Sequence, residues 1–103
     1  MKDYTRKSGN LLNPEYTDGQ LFIGSMLLYA ILQKLSAEPG LKFDAFDLQS
    51  DKKKDQHILV IWRNGNNSEP IQMSNKQIVG CSLSEENQEE MKELLRMEMR
   101  RIR

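Results

Sequence analysis

Cysteine and histidine are almost missing from this chain. One cysteine, Cys81, and one histidine, His57, stand in 103 residues. A lone cysteine forms no internal disulfide, a usage that fits a reducing compartment. One thiol and one imidazole fall short of the ligand set of a structural zinc site. Asp44, Asp47, Asp51 and Asp55 lack the glycine and the closing glutamate of a calcium loop. A Cys–His nucleophile needs a third group to orient the base, and no elbow or glycine-rich oxyanion site accompanies either residue. Arg63-Asn64-Gly65-Asn66-Asn67 resembles no phosphate loop, and its glycine is explained by a turn that needs positive φ. No metal, no cofactor and no catalysis are therefore expected. His57 reads as the opening of a strand and Cys81 as a small buried apolar residue.

An excess of charge is missing too. Lys and Arg number 15, as do Asp and Glu, so the formal net charge is zero. That balance argues against a dedicated nucleic-acid or membrane-surface binder. It also lowers the electrostatic cost of self-association. Long hydrophobic runs are the third absence. The most apolar stretch, Leu21 to Leu32, is shorter than the ~20 residues a bilayer requires, and Gln33 and Lys34 follow it directly. It starts too far from Met1, behind acidic residues, to serve as a signal peptide. A cytoplasmic protein without membrane contact is expected. Without repeats or internal linkers the chain reads as a polar, turn-rich N-terminal arm over 1–15 and one domain over 16–103.

What is present centres on that apolar stretch. Ten of the twelve residues from Leu21 to Leu32 are apolar, interrupted only by Gly24 and Ser25. On a helix these positions run nearly all the way round: Leu21, Leu28, Leu32 and Leu35 on one side, Ile23, Met26 and Ala30 on the other. Thr17-Asp18-Gly19-Gln20 forms a capping box, with Tyr16 and Leu21 placed as a hydrophobic staple. Pro39-Gly40 ends the segment, so the spacing predicts a helix from Asp18 to about Ala37. Such a helix needs partners on at least two sides.

Beyond Gly40 the period becomes alternating. Leu41, Phe43 and Ala45 share a face, then Phe46 and Leu48 continue one residue out of phase, which suggests a bulge near Ala45-Phe46. A charged loop from Ser50 to Asp55 leads to His57–Trp62, apolar on both faces and expected as the central strand. Asn64-Gly65 is a hairpin signal. Glu69–Met73 follows as a short strand with Ile71 and Met73 inward, placed at an edge by Pro70. Ile78-Val79-Gly80-Cys81 reads as either a fourth short strand or a packed connection. From Ser84 a helix begins with Glu85, Glu86, Glu89 and Glu90 and ends with Arg96, Arg100, Arg101 and Arg103, complementing the helix dipole. Its apolar stripe is Met91, Leu94, Leu95, Met99 and Ile102, with Glu98 in the middle. That carboxylate either escapes along the helix edge or meets a base elsewhere.

The elements assemble into an α+β fold, α-β-β-β-α, a three-stranded antiparallel meander with two helices packed on one face. This order is similar to that of double-stranded-RNA-binding domains. In that family a basic cluster opens the last helix and grips phosphates. The corresponding turn here, Glu85 to Glu90, is acidic and repels them. The available basic groups are Lys52, Lys53 and Lys54 on a loop and Arg96, Arg100, Arg101 and Arg103 at the C-terminus; a patch built from them is the alternative, nucleic-acid-associated reading. The favoured reading is a small non-catalytic protein-interaction or regulatory module. One face of the central strand and a flank of the first helix stay uncovered, so the N-terminal arm or a second copy of the chain is expected to cover them; a homodimer is the favoured reading, with another protein as its target. Phe22, Met26, Trp62, Met97 and Glu98 are the candidate contact residues.

Overall fold

Local hydrogen bonds set the ends of the first helix. In a computed structural model describing residues 16–102, α1 spans Asp18–Ser36. The Thr17 hydroxyl accepts from the Gln20 amide at 3.0 Å and the Gln20 side chain accepts from the Thr17 amide at 2.8 Å, the reciprocal box expected. The arm over 1–15 and Arg103 lie outside the described residues.

The sheet is built on β2 (Gln56–Arg63), paired antiparallel with β1 (Ala45–Asp51) on one side. On its other side lie two short pieces, β3 (Asn66–Asn67) and β4 (Ile71–Met73). Asn64 (φ 53°) and Gly65 (φ 80°) make the two-residue turn between β2 and β3, both in the left-handed region such a hairpin needs. The strand expected over Glu69–Met73 is therefore shortened to Ile71–Met73, and Asn66–Asn67 adds an unexpected piece to the same edge, with Glu69 and Pro70 in the gap between them. Ser68 donates its amide to the Ile61 carbonyl and accepts the Ile61 amide on its hydroxyl, whereas Ile71 already faces Leu59. The edge thus inserts one extra residue around Glu69 and Pro70. Proline, which has no amide to donate, occupies the gap in the ladder.

Two expectations are corrected. No bulge interrupts β1: its register with β2 is constant from Ala45 opposite Trp62 to Asp51 opposite Gln56. The change of phase is absorbed earlier, because the strand begins only at Ala45 and Leu41–Asp44 precede it as irregular chain. Leu41 is nevertheless buried, so its hydrophobicity marks core contact rather than a strand face. Second, Ile78–Cys81 is neither strand nor connection. It belongs to a short helix, α2 (Asn75–Gly80), with Cys81 as its C-cap. Ser74 and Gln77 form a second capping box, the Thr17–Gln20 arrangement repeated.

The last helix, α3, spans Glu85–Arg100 and buries Met91, Leu95 and Met99. Leu59, Ile61, Ile71 and Met73 on one sheet face join Leu21, Leu28, Leu32 and Leu35 of α1 and Ile78 and Val79 of α2 in a single core. All three helices thus lie on one side of the sheet. Arg63, at the end of β2, donates to the carbonyls of Met99 (3.0 Å) and Ile102 (2.6 Å), and to Gly40 (2.6 Å). This cation sits at the negative end of the α3 dipole, sharing the Met99 carbonyl with the Ile102 amide, which reaches it at 3.2 Å.

Gly24 lets α1 and α2 meet backbone to backbone. A Cβ built there would stand 2.3 Å from the Ile78 carbonyl oxygen. In an open helix Gly→Ala stabilises by ~1 kcal/mol. Here overpacking, typically ~1–3 kcal/mol, opposes that gain. Gly24→Ala is therefore expected to lower the urea midpoint of unfolding; an unchanged or raised midpoint would show that the helices part without cost.

Candidate functional site

The side of α1 turned away from the core is as apolar as the side within it. Phe22 is 66 % exposed, Ile23 54 % and Met26 50 %, and Ala30 is exposed beside them. Spacings of three, four and seven residues place them in one stripe. No charged residue occurs between Asp18 and Lys34. A surface helix ordinarily turns polar residues to water. The stripe amounts to on the order of 300 Å² of contiguous apolar surface, a size at which patches are often functional.

The sheet supplies a second apolar feature on the opposite layer. Because strand side chains alternate, the face away from the helices carries Ile58 and Val60, half-buried, and Trp62, 37 % exposed. Asp47, Gln49 and Ala45 flank them on β1, with Gln72 and Asn67 on the other side. Phe22 and Met26 are thus brought together, and Trp62 is not with them. Met97 stands exposed on α3, a separate element. The Glu98 side chain is only 17 % exposed and meets Arg101 one turn on, at 3.5 Å. Leu83, in the turn before α3, is also exposed, and no periodicity in the sequence marks it.

The basic residues do not converge. Lys52, Lys53 and Lys54 occupy the turn before β2, while Arg63 holds the end of α3 at the other end of that strand. About 3.3 Å per residue makes that separation roughly 20 Å. Lys52 bonds Asp18 at 3.0 Å, tying the β1–β2 turn to the start of α1. Arg96 grips both oxygens of Glu38, at 3.1 and 2.9 Å, and also pairs with Glu93. Arg101 is bonded to Glu98, and Arg100 is exposed. Arg103 lies outside the described residues.

His57 and Cys81 are held by local bonds. His57 is buried, with Nε2 at 2.7 Å from Asn75 Oδ1 and Nδ1 at 2.8 Å from Ser50 Oγ. Asn75 Nδ2 donates to the Lys52 carbonyl, which leaves Oδ1 as the acceptor and puts a proton on Nε2. Cys81 is buried, its Sγ 3.6 Å from the Gln77 carbonyl, and burial pushes its thiol pKa up, away from the reactive thiolate. An open groove of about 350 Å³ is lined by Gly40, Lys42, Asp44, Arg63 and Asn64. Two of its polar side chains are already engaged, Arg63 on backbone carbonyls and Asp44 on the Asn64 amide. Among the described residues no group of three His, Cys, Asp or Glu side chains is placed to hold a metal ion, and no helix is long and apolar enough to cross a membrane.

Compared with protein-family models, with curated proteins and with solved structures, the chain matches none.

Hydrogen bonds from Arg96 hold the Glu38 carboxyl below its ordinary range. A carboxyl whose folded pKa is lowered contributes stability above its unfolded pKa and loses it as pH falls through the folded value. The parent is therefore expected to exceed Glu38→Gln in melting temperature at neutral pH, with the gap closing below about pH 4.5. A gap constant with pH would remove the ionic contribution.

Proposed function

We propose that this chain is a small non-catalytic protein-interaction or regulatory module of the cytoplasm, working as a homodimer whose copies bury the outer face of α1 against each other. The observation that carries the reading is the uncharged stripe of Phe22, Ile23, Met26 and Ala30 on the solvent side of a helix already committed to the core. The absence of net charge supports it, since two copies approach without collective repulsion. The single thiol suits a reducing compartment.

Magnitudes set the strength of such a dimer. On the order of 300 Å² from each copy gives a gross ~15 kcal/mol at ~25 cal/mol per Å². Association costs ~4–15 kcal/mol in lost freedom and side-chain ordering. The remainder, at most ~11 kcal/mol, describes a transient dimer rather than an obligate one. With the α1 faces paired, the column of Ile58, Val60 and Trp62 remains outward on each copy for a further protein. The outward positions flanking it include Asp47 and Asp51 and no cation, which favours an apolar, neutral or basic partner over a polyanion.

Light scattering at tens of micromolar is expected to give twice the chain mass. Met26→Glu is expected to give a monomer with unchanged far-UV circular dichroism, because the position is half exposed and outside the core; Trp62→Ala is expected to remain dimeric. A parent monomeric at that concentration, or a Met26→Glu variant that still dimerises, would overturn the reading.

A further inference from the structure

We infer that the two copies pair α1 antiparallel, about a two-fold axis passing beside Met26. This rests on the reading of α1 as the contact between copies and specifies its geometry. The charges of α1 are the first reason. Its only charged residues are Asp18 in the first turn and Lys34 in the last, eight residues on either side of Met26. A two-fold at Met26 brings Asp18 of one copy level with Lys34 of the other and opposes the two helix dipoles. A parallel pair would set like charge beside like charge and align the dipoles. Asp18 is bonded to Lys52, yet its side chain is 92 % exposed and so open to a second cation.

Shape is the second reason. Phe22 and Ala30 lie four residues on either side of Met26, so antiparallel pairing sets the bulkiest residue of the stripe level with the smallest. Gly19 and Gln33, seven residues out on either side, are matched in the same way. Parallel pairing would crowd Phe22 against its own copy and leave a gap at Ala30. Met26, unbranched and flexible, sits at the axis, where a side chain must pack against itself.

Disulfide trapping reads this geometry directly. Cys81 is buried, so the native thiol stays out of the reaction. Helices packed about 8–10 Å apart bring Cα atoms at the axis to roughly 3.5–5.5 Å, which overlaps the range a disulfide spans. Met26→Cys copies are therefore expected to link to each other under mild oxidation. Two copies of Gln33→Cys, about 21 Å apart at 1.5 Å per residue, are expected to link about tenfold less. An equimolar mixture of Gly19→Cys and Gln33→Cys is expected to form the mixed disulfide; Gly19 has room for a side chain, with only the Thr17 hydroxyl nearby at 3.8 Å.

Gln33→Cys linking to itself as readily as Met26→Cys, in a protein whose reduced form has dimer mass, would overturn the antiparallel arrangement and leave α1 as the contact. A reduced protein of dimer mass in which none of these positions links would overturn the arrangement together with α1 as the interface. A reduced protein of monomer mass would overturn both this inference and the homodimer.

Discussion

A helix apolar nearly all the way round can be shielded by its own sheet on one side only. That constraint organises this molecule. The inner side of α1, from Leu21 to Leu35, closes the core against β2 and the other two helices. The outer side keeps Phe22, Ile23 and Met26 in water. Gly24 tightens the arrangement, since its missing side chain lets α2 come up against the backbone of α1. The chain then has no element left among its described residues to lie over the outer side. In the homodimer proposed above, a second copy would meet that need with the same surface, at no cost in net charge.

The local chemistry of the fold was legible wherever the signal is contained in a few neighbouring residues. Thr17 with Gln20, Ser84, and Asn64-Gly65 each act through bonds or dihedrals within one turn, and each forms the expected structure. The run His57–Trp62, apolar on both faces, correctly marks a central strand, with one face buried and the other half-buried up to Val60. The capping box at Ser74 and Gln77 carried the same kind of signal for α2. It was masked by the β-branched pair Ile78-Val79, whose burial, rather than strand propensity, is what the structure uses.

Other features depend on residues distant in sequence, and no local pattern reports them. The Gly24–Ile78 approach spans two helices. Arg63 binding the end of α3 joins positions almost forty apart, and nothing around Arg63 distinguishes it from a solvated arginine. The candidate site divides in the same way. Phe22 and Met26 share a stripe that helical spacing alone defines, and Ile23 belongs with them. Trp62 needed the strand register before it could be set on the opposite layer. The basic residues look like a patch in the sequence, but the length of β2 separates them and acidic neighbours engage Lys52, Arg96 and Arg101.

The central claim is that Met26 lies against another copy of the chain. Methionine-methyl NMR on a mixture of methyl-labelled and unlabelled copies, at a concentration where the mass is that of a dimer, tests it most directly. The account predicts intermolecular transfer at the Met26 methyl to aromatic and aliphatic protons of the other copy. Transfer confined to the Met97 methyl, or none between copies at Met26, would contradict it.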